Sequence, residues 1–172
     1  MKEKWELPGT RISKKDIDSG EVIAVREDPR HRYARDLGIG WGRFLAEHKK
    51  GRLIASKCNK CNRVVVPPRV YCESCFRNMD EWVYLPDTGS VRTFTLMYIN
   101  VDGERLEQPR IVASVEIDGA SKDIGLLAFL GEVAPEDVTF GMRVKAVWKP
   151  KKERKGHVSD LKYFKPLEKE KS

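Results

Sequence analysis

The chain has 172 residues, 33 of them Lys or Arg and 26 Asp or Glu, for a net charge of +7 and a pI near 9.2. That length fits one ordinary domain or two or three small modules, and 40% apolar with 34% charged residues excludes collagen-like, low-complexity and wholly disordered chains. The longest uncharged apolar run, Ile124 to Gly131, is eight residues, far short of the ~20 that a membrane-spanning helix needs.

Met1 is followed by Lys-Glu-Lys-Trp-Glu rather than by an apolar stretch, so no secretory leader is expected and the expected compartment is the cytoplasm. Residues 1–30 are polar and turn-rich, with a short strand expected at Glu21 to Val25; they read as an arm. From His31 to Lys50, Tyr33, Leu37, Trp41, Phe44, Leu45 and His48 recur at three- and four-residue steps. This spacing predicts a helix from about Trp41 to Lys49, ended by Gly51. So aromatic a helix either packs on the module that follows or docks on a partner, with Trp41, Phe44 and Leu45 as the docking candidates.

All four cysteines fall in one window, Cys58-Asn-Lys-Cys61 and Cys72-Glu-Ser-Cys75. Two C-x2-C knuckles aim four thiolates at one tetrahedral ion, and the β-branched linker Arg63-Val-Val-Val-Pro-Pro-Arg69 returns the chain to supply the second pair. Four soft sulfurs favour zinc or iron. A closed structural zinc, one per chain, is the leading expectation, with a rubredoxin-like iron site and a redox dithiol pair as alternatives. Asn62 and Phe76 follow the knuckles; Phe76 resists a left-handed backbone, which predicts a less regular second knuckle.

A short strand is expected from Met79 to Leu85. Alternation then predicts strands at Val91–Ile99, Ile111–Ile117 and Met142–Trp148, a central one at Ile124–Leu130, apolar on both faces, and a polar last one at Val158–Phe164. In the first of these, Val91 groups with Thr93, Thr95, Met97 and Ile99 against Arg92, Phe94, Leu96 and Tyr98. A helical turn is expected at Pro135 to Phe140. Five strands with a short helix between the third and fourth match the Greek-key barrel called the OB-fold. The fold class is mainly β, with an N-terminal helical arm (1–50), a zinc ribbon (51–85) and an OB-fold with a basic tail (86–172).

The ordered set Trp41-Gly-Arg-Phe-Leu45, Cys58-x2-Cys61, Val66-Pro-Pro-Arg69, Cys72-x2-Cys75, Glu81-Trp-Val83, Gly89-Ser-Val91, Pro109 to Gly119, Gly141-Met-Arg-Val-Lys145 and Tyr163-Phe-Lys-Pro166 resembles a known family. Its members are the zinc-ribbon plus OB-fold proteins that accompany thiolases and other acyl-CoA enzymes, long known only as a domain of unknown function. The resemblance covers about residues 32–166. It implies a rubredoxin-like ribbon, complexes with thiolase-fold enzymes and a role in presenting or channelling acyl-CoA. An example is a bridge between acetoacetyl-CoA thiolase and hydroxymethylglutaryl-CoA synthase; other relatives serve catabolic thiolases and aldolases. It carries over Cys58, Cys61, Cys72 and Cys75 as metal ligands and implies no catalytic residue.

CoA presents an anionic nucleotide head and an apolar-plus-amide arm, so a face meeting it mixes Arg or Lys with aromatic groups. Lys60, Arg63, Arg69 and Arg110 are the candidate CoA or partner contacts, although such residues are more often solvated surface charges. The alternative is nucleic-acid binding, since OB-folds and ribbons both serve it. Charge placement argues against that alternative: residues 86–148 carry a net −4, whereas 149–172 carry +5, so the basicity belongs to loop and tail. Independent catalysis has little support. His31, His48 and His157 are scattered, with no nucleophile elbow, phosphate loop or H-x-x-x-H motif.

Overall fold

The computed structural model describes residues 12–20, 22 and 34–167. Residues Met1–Arg35 and Asp36–Ser172 are two compact units. In the first, helix α1 (Lys14–Asp18) starts from a capping box in which Ser13 accepts the Asp16 N–H and Asp16 accepts the Ser13 N–H. The strand expected at Glu21–Val25 lies outside the described residues, Val22 excepted.

The second unit opens with α2 (Gly38–Lys50), three residues longer at its start than the periodicity indicates. Asp36 Oδ1 accepts the Gly38 N–H at 3.2 Å, and Gly51 ends the helix in the left-handed region at φ 74°. The helix packs on β1 (Leu53–Lys57), the centre of an antiparallel sheet ordered β2–β1–β5, where β2 is Val64–Val65 and β5 is Glu81–Leu85. Strands β3 (Tyr71–Cys72) and β4 (Arg77–Asn78) form a small hairpin at the second knuckle.

Five further strands close a barrel in the order β10–β8–β7–β6–β9. They are β6 (Thr88–Ile99), β7 (Arg105–Ile117), β8 (Gly125–Leu130), β9 (Arg143–Trp148) and β10 (Leu161–Pro166). A turn of 3-10 helix at Pro135–Asp137 separates the third from the fourth, as an OB-fold requires. Val91, Ala113, Val115, Ile117, Val144 and Phe164 fill the interior.

Three details depart from the sequence reading. A bulge between Val91 and Thr93 on β6 shifts the alternation, so Val91 is buried while Phe94 and Leu96 also pack on the core. Strand β8 is not covered on both faces: Leu127 is 73% exposed, and only the Leu130–Phe164 register pair joins β8 to β10. Residues Val158–Asp160 form a capped 3-10 turn rather than the start of β10. The buried Asp160 carboxylate there accepts the N–H groups of Lys155, Gly156 and His157 at 2.7–3.1 Å. Among the described residues no helix is long and apolar enough to cross a membrane.

Candidate metal centre and docking surfaces

The four cysteine Sγ atoms lie within 4.8 Å of one another, and those of Cys61 and Cys72 are 3.6 Å apart. A tetrahedral ion with bonds of about 2.3 Å needs sulfurs roughly 3.8 Å apart, and all four thiols are free of disulfides, so the cluster fits one zinc. The two knuckles are alike. Asn62 and Phe76 both adopt a left-handed backbone, at φ 58° and 52°, which corrects the expectation of an irregular second knuckle. The tight turn forces that conformation on Phe76: its N–H donates to the Cys72 carbonyl at 2.9 Å, and its ring, 77% exposed, avoids crowding by pointing outward.

Crowded thiolates repel, and the protein divides the strain unevenly. The backbone N–H groups of Cys61 and Lys60 pull the Cys58 thiol down to about 7, against the opposing effect of burial. Sharing with the Cys61 thiol, then burial, pushes the Cys75 thiol up to about 12. A dication removes this conflict by accepting all four sulfurs as thiolates. Among the described residues no fifth donor belongs to the cluster, and four thiolates complete a tetrahedral sphere of the structural kind.

The expected contact residues separate into two places. On the ribbon, Arg63 and Arg69 converge on Glu73 at 2.7 and 3.7 Å, so each is partly neutralised. The Arg69 backbone N–H is held by Ser56 Oγ at 3.0 Å, and Lys60 is exposed beside the metal cluster. Arg110 is on the barrel instead, its guanidinium 4.5 Å from the centre of the Phe129 ring. It lines two adjoining grooves of about 620 and 430 Å³ that also share Phe129 and Lys162. Lys149 and Leu127 line the second, and among the described residues no carboxylate lines either. Lys149, Lys162 and Phe129 escaped the sequence reading; the signal present was the alternation of Leu127 and Phe129 along β8.

Of the three docking candidates on α2, Phe44 and Leu45 are corrected. They are 1% and 8% exposed and belong to the core, because the helix turns that face onto β1. Trp41 remains half-exposed, edge-on to Phe44 at 5.6 Å. It has company that the sequence did not reveal. Ile39 is 75% exposed, and a methyl added at Gly40 would lie 3.1 Å from the Pro68 carbonyl oxygen and 3.6 Å from Val70. The first turn of α2 therefore abuts the ribbon segment that carries the exposed Val70 and Tyr71. Exposed apolar side chains thus lie on both elements where helix and ribbon meet.

Among the described residues, His48 serves packing and His157 serves capping. His48 is buried against Phe44 and Trp148, with ring centroids 4.2 and 5.1 Å away, and neither ring nitrogen has a hydrogen-bond partner among the described residues. His157 caps its own turn through Ser159, at 3.2 Å from the Ser159 N–H. His31 lies outside the described residues.

Comparison with known proteins agrees with this geometry. Residues 49–80 match the family described as the ChsH2 rubredoxin-like zinc ribbon domain, and residues 82–149 match the ChsH2 C-terminal OB-fold domain. A DUF35 domain-containing scaffold protein of Methanocaldococcus jannaschii is 30% identical over 120 residues, covering 67% of this chain and 82% of that protein. A crystal structure of a DUF35-family protein from Sulfolobus solfataricus is 30% identical with a TM-score of 0.51, covering 61% of this chain and 75% of that one. The structure of an Ltp2–ChsH2(DUF35) aldolase matches in fold at 24% identity, with a TM-score of 0.55 over 78% of this chain and 98% of that one.

Proposed function

Because the chain belongs to the DUF35 family of paired zinc-ribbon and OB-fold domains, we propose that it is a non-catalytic zinc-binding scaffold subunit that docks on a thiolase-fold enzyme. In that complex it helps to present or channel acyl-CoA. The observation that carries this reading is the set of exposed apolar side chains, Ile39 and Trp41 on α2 and Val70 and Tyr71 on the ribbon, carried by two elements that abut at Gly40. Large exposed apolar side chains on two abutting elements are costly in water and mark a protein interface. The metal cluster holds the ribbon half of that interface in place, which gives a closed zinc a purpose without chemistry.

Two similarities support a scaffold role beside an enzyme. One relative is named a scaffold protein, and a structure of the same fold is named for its complex in an aldolase. The acyl-CoA part rests on the barrel grooves, where Arg110, Lys149 and Lys162 surround Phe129 and Leu127 with no lining carboxylate among the described residues. Phosphates suit the three cations, and an apolar arm suits the floor between them. The working compartment in this proposal is the cytoplasm, where acyl-CoA enzymes and reduced thiolates coexist.

The test is affinity purification of the tagged full chain from its native host, with identification of what accompanies it. A thiolase-fold enzyme in fixed stoichiometry is expected. Recovery of nucleic acid and no such enzyme would overturn the proposal in favour of an OB-fold nucleic-acid binder.

A further inference from the structure

The two grooves beside Arg110 meet at the open side of the barrel. Strand β8 joins β10 through a single register pair, Leu130 with Phe164, and the Gly131 N–H donates to the Phe164 carbonyl at 2.9 Å. From Gly125 to Phe129 the outer edge of β8 has no strand partner among the described residues. The gap left there is the second groove, lined by Leu127, Ala128 and Phe129 from β8 and by Leu161 and Lys162 from β10. The first groove adjoins it at Phe129 and runs past Gln108 and Pro109, where β7 is uncovered because β8 begins opposite Ile111.

The cations at this gap are held in position without being neutralised. The Arg110 guanidinium lies 4.5 Å from the centre of the Phe129 ring, and Lys162 Nζ lies 5.4 Å from that of Tyr163. Lys162 is the extra residue where β10 bulges against β9, since Leu161 pairs with Trp148 and Tyr163 with Val147; such a bulge re-aims a side chain. Tyr163 is itself fixed. Its hydroxyl donates to Glu132 Oε1 at 2.7 Å, and a methyl added at Gly131 would lie 2.8 Å from its ring. Glu132 accepts that bond from a left-handed backbone, at φ 58°, a conformation that a glutamate keeps only where its surroundings enforce it. Lys149 Nζ donates to Ser159 Oγ at 3.0 Å, and both residues line the second groove. Among the described residues none of Arg110, Lys149 and Lys162 forms a salt bridge. The acids that the two lysines feel, Glu132 and Asp160, are engaged by Tyr163 and Lys165 and by three backbone N–H groups.

We propose that the second groove binds the nucleotide head of acyl-CoA, its adenosine 3′-phosphate 5′-diphosphate, and that the pantetheine arm leaves along the first. This rests on the acyl-CoA part of the proposed function and narrows it to one end of the molecule. Arg110, Lys149 and Lys162 take the phosphates, and the adenine lies on Leu127 and Phe129, both exposed on the floor. Gln108 and the uncovered backbone of β7 face the amides of the arm. Arg110 and Lys162 line both grooves, so neither is an apolar tunnel for an acyl chain. The chain therefore recognises the carrier and is indifferent to the acyl group.

Calorimetric titration of the full, zinc-loaded chain tests this with CoA, acetyl-CoA, decanoyl-CoA, dephospho-CoA and adenosine 3′,5′-bisphosphate. The bisphosphate binds and competes with CoA, the two acyl-CoAs bind within about twofold of each other, and dephospho-CoA binds about tenfold more weakly. Arg110→Gln and Lys162→Gln, both at exposed positions with folding checked by circular dichroism, each weaken CoA and the bisphosphate by about tenfold. Affinity that climbs with acyl length while the bisphosphate fails to bind would overturn the head-group assignment and leave the acyl-CoA reading standing. Absence of binding by every CoA species would remove that reading and this inference together, with the scaffold role still judged by co-purification. Unchanged affinities in both variants would overturn the groove as the site, and so would an oligonucleotide that displaces the bisphosphate better than CoA does.

Discussion

Lowering the pH from 7 to 5 asks the fold to charge a histidine that it holds neutral. His48 is 2% exposed and wedged between the rings of Phe44 and Trp148, and burial depresses its pKa from 6.5 to about 4, with the Asp160 carboxylate opposing only part of the effect. The folded pKa lies below the unfolded one, so the unfolded chain binds the proton first. The stabilisation from neutral His48 is complete above pH 6.5 and drains away as the pH falls toward 4. Between pH 7 and 5 the loss works out at about 2 kcal/mol, or about 1 M in a urea midpoint. Asp160, with backbone N–H groups outweighing the desolvation that opposes them, stays ionised over this window, and Glu47, paired with Lys50 and Arg52, does so too. Cysteine protonation at the metal centre weakens the protein in acid whatever occupies position 48. The comparison is therefore urea unfolding of the wild type and of His48→Leu at both pH values. The variant is expected to lose about 2 kcal/mol less than the wild type. Equal losses in the two proteins would refute the assignment of a neutral, desolvated His48.

The metal prediction is one zinc per chain by elemental analysis, and loss of that zinc in Cys75→Ser with loss of hydrogen-exchange protection in the ribbon; a variant that keeps a full equivalent would contradict the four-thiolate site. Phe44→Ala removes a 1%-exposed ring from the seam between α2 and β1 and is expected to cost about 3–5 kcal/mol in chemical denaturation, whereas a loss below about 1 kcal/mol would show that Phe44 is no core residue.

The metal site was the most legible part of the chain, because knuckle spacing alone brings four thiolates to one point. The barrel was legible as three alternating runs, a continuous apolar one and a polar last one, since burial of one face leaves a period of two in the sequence. The bulge at Val91–Thr93 was not, because it changes the phase of that period without changing any residue's polarity. The inward face of α2 was misjudged for a related reason. Ile39, Trp41, Phe44 and Leu45 are all apolar, and only the contact with β1 decides which of them are buried. The groove around Arg110 and Phe129 draws Lys149 and Lys162 from beyond β8, and no local pattern announces a convergence made by barrel closure. Glu47 is buried because Lys50 and Arg52 reach it at 2.9 and 2.7 Å, a pairing that depends on where the helix ends.

The proposed role requires that the exposed apolar side chains of α2 and the ribbon dock an acyl-CoA enzyme. Its most direct test is the dissociation constant between this chain and the enzyme that co-purifies with it, measured for the wild type and for Ile39→Glu with Val70→Glu. Both positions are more than half exposed, so the fold and its zinc should survive the change. A loss of about 100-fold or more in affinity is the predicted result, as for central apolar anchors of an interface; an unchanged dissociation constant in a folded, zinc-loaded variant would contradict the claim.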